Sequence, residues 1–191
     1  SGGYFLTPAD AEALLVREKP AYDRAVPSPN SISANNLLRL HEITGDAKWR
    51  ERAERLFASL AFRVTRSPTA FPLLLAALDR YYDVPLEVAI IQPGADDEGL
   101  PLVQRLRTTY LPNKTFALLQ EDEAVRQHAQ VPWLEGKRAM RGKPTAYVCE
   151  RGRCELPTSS PAVFARQLDK RAPYPSFAKT PPRRLPFQRN P

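Results

Sequence analysis

Methionine, tryptophan, histidine and cysteine are scarce in this 191-residue chain, at one, two, two and two copies, and glycine reaches only eight. A structural zinc site takes about four ligands, and His41 and His128 lie far in sequence from the two thiols, Cys149 and Cys154. No metal is therefore expected. No stretch approaches the roughly 18 consecutive apolar residues of a membrane span. The first residues also lack the charged, then apolar, then small-residue order of a secretory leader. A soluble protein is expected, with the cytoplasm slightly favoured and no membrane partner. No G-x-S-x-G elbow, Walker loop, G-x-G-x-x-G fingerprint or H-E-x-x-H helix occurs, which excludes the familiar phosphate-binding and hydrolase motifs.

Apolar residues make up 42% of the chain and charged residues 26%, enough to bury a real core in one or two small domains. The formal charge of +7 is uneven, because Lys170, Arg171, Lys179, Arg183, Arg184 and Arg189 all fall in the last 22 residues with no acid among them. Six of the 20 prolines lie there too, a composition that suits an extended tail and opposes helix or sheet. Residues 170–191 are accordingly expected to form a disordered or draped basic tail, with Tyr174, Phe177 and Phe187 available to pack onto the body. Its cations are spaced rather than clustered, which favours a solvated tail over a nucleic-acid contact. Because the sequence starts Ser1-Gly2-Gly3 and its only methionine is Met140, a piece of a longer product is expected.

Helical signals fill the first half. Thr7 and Pro8 suit the N-cap and first position of a helix over residues 7–17. Ser31 suits the cap of a second helix, with Ile32, Leu37, Leu38, Leu40 and Ile43 as its apolar positions and Thr44-Gly45-Asp46 as its end. Trp49, Ala53, Leu56, Phe57 and Leu60 give residues 47–63 a helical stripe, and residues 68–82 a fourth apolar helix. The period then changes. Apolar, branched runs at 86–91, 115–119 and 145–149 predict buried strands, with helices at 97–110 and 161–170, a short helix between the second and third strands, and a polar stretch at 121–130. The expected fold class is α+β, with a helical segment over 1–84, a small parallel or mixed α/β layer over 85–169, and the tail.

Cys149 and Cys154 bracket Glu-Arg-Gly-Arg, a spacing compatible with a disulfide across a turn at Gly152. The C-x-x-C motif of redox catalysts is missing. Structural thiols come first among the readings of this pair, a reversible disulfide second and a metal site last. His41 sits near a helix end, where capping or packing outweighs catalysis. The carboxylates of the helical half mostly stand beside Arg or Lys at helix-surface spacing, as solvated pairs do. The most distinctive segment is Pro27-Ser28-Pro29-Asn30-Ser31 leading into Asn36. Asn30, Ser31 and Asn36 are candidate pocket residues, since small polar groups ahead of a helix present hydroxyl, amide and free N–H groups. The competing reading is plain helix capping.

Several segments carry a resemblance in order: Gly3-Tyr4-Phe5-Leu6-Thr7, Ala25-Val26-Pro27-Ser28-Pro29-Asn30-Ser31, Asn36-Leu37-Leu38-Arg39-Leu40, Thr44-Gly45-Asp46, Tyr110-Leu111-Pro112-Asn113-Lys114 and Gly142-Lys143-Pro144-Thr145-Ala146-Tyr147-Val148-Cys149. Together they resemble the C-terminal part of the thioredoxin-domain-containing proteins related to spermatogenesis-associated protein 20. The resemblance covers residues 1–169 and implies a tripartite whole: a thioredoxin-like domain, an α/α toroid akin to six-hairpin glycosidases, and a C-terminal α/β segment. This chain would supply the last toroid helices and that segment, without autonomous catalysis, while the full-length relatives suggest redox or carbohydrate chemistry. The implied partners are the preceding toroid and thioredoxin-like domains, or a second copy of the chain. No cofactor is implied. The alternative is a binding or scaffolding subunit whose basic tail contacts a partner. Pro29 stands where the family turn usually carries glycine, a change that alters the loop if that glycine is left-handed.

Overall fold

The computed structural model describes residues 2–12, 15–94 and 99–170, which divide into two compact units that meet in sequence between Asp83 and Val84. Six α-helices and a four-stranded mixed sheet are found among the described residues, an α+β fold. None of these helices is long and apolar enough to cross a membrane. The tail at 171–191, and the start of the helix expected at 97, lie outside the described residues.

The first unit holds α1 (Pro29–Thr44), α2 (Ala47–Arg66) and α3 (Pro72–Tyr82), with α1 packed against both others. Helix α2 buries Ala53, Leu56, Phe57, Leu60 and Val64. These meet Leu37 and Leu38 of α1 and Leu74, Ala77 and Leu78 of α3 in one core, which Phe71 completes. The α1–α2 junction follows its sequence signals. Gly45 takes a left-handed φ of 70° and returns its N–H to the His41 carbonyl, and Asp46 caps α2 through the Lys48 N–H.

Two expectations are corrected here. Helix α1 starts three residues earlier than expected: Ser28 rather than Ser31 is the N-cap, its Oγ accepting from the Ser31 N–H, and Pro29 opens the helix. At that position a proline's fixed φ is already helical and no N–H is missed, so Pro29 fits the turn without distortion. Ser28 has the extended ψ of 146° that a residue before proline favours. The other correction is larger, since none of the described residues from 7 to 17 is helical. Local capping signals do not sustain a short helix without an apolar face to pack, and Leu15 and Val16 are exposed. The described residues of 2–27 instead form an irregular strap, held by the Leu6 N–H on the Glu18 carbonyl at 3.0 Å and by Arg17 on the Thr7 carbonyl at 2.7 Å. The Thr7 hydroxyl, expected as a cap, is buried without a partner among the described residues. The strap enters against α2 so closely that a Cβ at Gly2 would lie 1.7 Å from the Arg55 carbonyl oxygen.

The second unit is built on β1 (Leu86–Gln92), β2 (Lys114–Gln120), β3 (Thr145–Glu150) and β4 (Arg153–Cys154), in the order β2-β1-β3-β4. Strand β1 runs parallel to β2 and antiparallel to β3. Helices α4 (Leu100–Thr108) and α6 (Pro161–Asp169) cover one sheet face, where Val88, Ile90, Ala146 and Val148 meet Leu102, Leu106, Phe164 and Leu168. On the opposite face Ala89, Ile91, Tyr147 and Cys149 meet Ala124 of α5 (Glu121–Gln127) and Leu134. Coverage on both faces explains why β1 reads as a continuous apolar run rather than an alternating one. Helix α5 is the short helix that the strand–helix rhythm leads one to expect between the second and third strands, and it falls in the polar stretch; Gln120 and Glu123 close a reciprocal capping box at its start.

Proline opens most of these helices. Pro29, Pro72, Pro101 and Pro161 occupy the first or second positions of α1, α3, α4 and α6, and Pro68 and Pro132 do the same for two 3-10 turns.

Two tight turns share an Arg-Gly pair with both residues at positive φ: Arg141 and Gly142 at 55° and 66°, and Arg151 and Gly152 at 51° and 74°. That combination makes the two-residue hairpin turn whose twist matches its flanking strands. An arginine pays for the left-handed conformation sterically, whereas asparagine tolerates it. Arg141→Asn is therefore expected to stabilise the chain by about 0.5–1 kcal/mol. An unchanged or lower urea midpoint would contradict this account of the turn.

Candidate functional site

The segment singled out in the sequence proves to be an internal brace. Asn30 is fully buried. Its Oδ1 accepts from the Tyr4 N–H at 2.7 Å, while its Nδ2 donates to the carbonyls of Tyr4 at 3.0 Å and Pro20 at 2.6 Å. One carboxamide thus ties both limbs of the strap to the start of α1. Ser31 is also fully buried, with its Oγ 3.0 Å from the Ser28 Oγ. Asn36 is exposed and is not brought together with them. Its neighbour Asn35 reaches inward instead, donating to the carbonyls of Ser31 at 3.1 Å and Leu73 at 3.3 Å, and so bridges α1 to α3.

Sequence reasoning did not find Asp23. Its Oδ1 accepts from the Ser28 N–H at 2.8 Å and its Oδ2 from the N–H groups of Leu73 at 2.9 Å and Leu74 at 3.3 Å. Phe71 gives α3 no side-chain cap. A carboxylate some 50 residues earlier supplies it and suits the positive end of the helix. Nor did the sequence show the pairing of Arg80 on α3 with Glu42 on α1, whose side chains are only 9% and 7% exposed. The Arg80 Nε donates to the Glu42 Oε1 at 2.8 Å, and the Nη2 to the other carboxylate oxygen, a two-point contact. The Tyr81 hydroxyl donates to Glu54 at 2.8 Å while Arg50 lies over its ring at 4.0 Å. Burial, aided by the Glu54 contact, pushes the Tyr81 phenol above its ordinary value. His41 bonds across the α1–α2 junction, with its Nδ1 3.1 Å from the Asp46 carbonyl oxygen.

The two cysteines lie in the second unit. Cys149 on β3 and Cys154 on β4 are cross-strand partners joined by a disulfide of 2.09 Å. Cys149 is 1% exposed, whereas Cys154 is on the surface. Beside them opens a cavity of about 660 Å³, whose walls include Leu86, Val148, Arg151, Arg153, Gln167 and Lys170. Lys170 is paired with Glu155 at 2.8 Å. Burial lowers the Lys137 ammonium elsewhere in this unit below its ordinary value. Among the described residues no group of three or more His, Cys, Asp or Glu side chains is placed to hold a metal ion.

No protein-family model matches the chain, and no solved structure matches it significantly. Over 168 residues it is 34% identical to spermatogenesis-associated protein 20 of Homo sapiens and 32% identical to that of Rattus norvegicus, in each case across 87% of this chain. It is 28% identical over 160 residues to the uncharacterized protein B0495.5 of Caenorhabditis elegans, across 83% of its length. The chain spans about one fifth of the length of these relatives, 21% in each case. It is homologous to that one segment of spermatogenesis-associated protein 20.

Proposed function

We infer that this chain is the C-terminal part of a thioredoxin-domain and α/α-toroid protein, supplying the last toroid helices and an α/β segment, and that it is not catalytic by itself. One observation carries the reading: the polar groups of the distinctive turn are engaged in internal bonds, while the same helix presents apolar side chains to solvent. Asn30 and Ser31 brace the strap and the helix start. Ile32 and Leu40, one helical stripe apart with Asn36 between them, are 44% and 37% exposed. Such a stripe is what a neighbouring helix of the longer chain would cover.

The 191-residue chain alone is therefore expected to self-associate or to bind a hydrophobic dye. Replacing Ile32 and Leu40 with serine should weaken either behaviour and leave the helical circular dichroism unchanged. A monodisperse, dye-silent monomer in light scattering would overturn this reading. It would favour a binding or scaffolding subunit, whose partner contact then resides in the five cations of residues 171–191 and disappears when they are removed.

A further inference from the structure

The disulfide, its cavity and its charges lie together in the second unit. Cys154 is exposed and Cys149 is buried, and both line the 660 Å³ cavity. Three cations, Arg151, Arg153 and Lys170, share that wall with two carboxylates, Glu150 and Glu155. Lys170 is neutralised by Glu155, with contacts of 2.8 and 2.9 Å to its two carboxylate oxygens. Arg151 and Arg153, which flank the turn glycine, have no ion-pair partner among the described residues and are exposed. With Lys170 held by Glu155 and Glu150 opposite Arg153 in the strand register, three cations against two carboxylates leave the wall a net charge of +1, which attracts an anion towards the exposed Cys154.

We propose that this cavity is a docking site for a small acidic thiol, a carboxylate-bearing peptide thiol such as glutathione, and that the Cys149–Cys154 disulfide is its exchange partner. The incoming thiolate attacks the Cys154 sulfur along the S–S bond, since Cys149 is the buried residue of the pair. The new bond joins the small thiol to Cys154. The Cys149–Cys154 bond breaks, and its electron pair leaves on the Cys149 sulfur, which takes a proton from water. A second small thiol then attacks the sulfur of the first and releases Cys154 as a thiol. Two small thiols are oxidised to their disulfide and one protein disulfide is reduced. The arginines serve the step twice, by concentrating the anionic nucleophile and by favouring negative charge on the departing sulfur.

The test uses the oxidised 191-residue chain with three thiols matched for thiolate concentration: glutathione, neutral 2-mercaptoethanol and cationic cysteamine. Adduct formation is followed by mass spectrometry and the site by peptide mapping. At low salt glutathione should react on the order of tenfold faster than cysteamine, with the adduct on Cys154. The gap should close in about 1 M salt, where charges are screened within a few ångströms. Arg153→Gln should narrow the preference, and Arg151→Gln with Arg153→Gln should abolish it, leaving the cysteamine rate no lower. Because Arg151 sits in a strained turn, the salt series and the Arg153→Gln variant test the charge effect independently of the double variant's folding. Equal rates for the three thiols, a preference that survives high salt, an adduct on Cys149, or a disulfide inert to all three would each overturn the proposal.

Discussion

Arg80→Met is expected to destabilise the helical unit by about 3–5 kcal/mol, because it deprives a buried carboxylate of its guanidinium. Arg80 and Glu42 are 9% and 7% exposed and join α3 to α1 by a two-point contact. Removing one partner leaves Glu42 with its desolvation cost and without its principal counter-charge. The double replacement of Arg80 and Glu42 by methionine should recover most of the loss, since a buried ion pair and a well-packed apolar pair are often of similar stability. Urea denaturation of the two single variants and the double variant closes the cycle. A single variant within about 1 kcal/mol of the parent would show that the pair is not the clamp its burial indicates.

Asn30→Ala is the second large expectation, at about 2–3 kcal/mol. Three hydrogen bonds disappear, and two carbonyls and one N–H of the strap lose their partner. The strap can peel into water, so the loss stops short of the full penalty for three buried orphans. Amide hydrogen exchange distinguishes this from general unfolding. Protection should fall at residues near Tyr4 and Pro20 and persist at the α1–α2 core around Leu38 and Leu56. Uniform loss of protection across all three helices would instead make Asn30 part of the core's own stability.

Much of the fold was legible because its signals are local or periodic. The stripe on α2, the left-handed Gly45 and the branched runs at β1, β2 and β3 each name an element from neighbours within a few residues. The strap was misread for the same reason: Thr7 and Pro8 form a sound local start signal, and the missing ingredient is a packing partner that no window of sequence displays. In the candidate site, the sequence marked Asn30 and Ser31 as special but not the direction in which they act. A carboxamide facing a ligand and one facing a backbone turn look alike in one dimension. Helical phase could have separated Asn35 from Asn36. Asn35 lies four residues after buried Ser31, on the inward side, while Asn36 falls in line with exposed Ile32 and Leu40. Asp23 was beyond reach, because the N–H groups it serves on α3 are about 50 residues away.

The prolines at the helix starts act on the state that competes with the fold. Each of Pro29, Pro72, Pro101 and Pro161 holds its φ near the helical value even in a denatured chain. The unfolded ensemble is narrower at the very residues where a helix must begin, and less conformational freedom remains to be lost there. Each such site contributes on the order of 0.4–1 kcal/mol without touching any neighbour. Contacts in the native structure therefore understate the stability of these helices. A Pro72→Ala substitution would lower that stability while leaving the native packing around Leu74 unchanged.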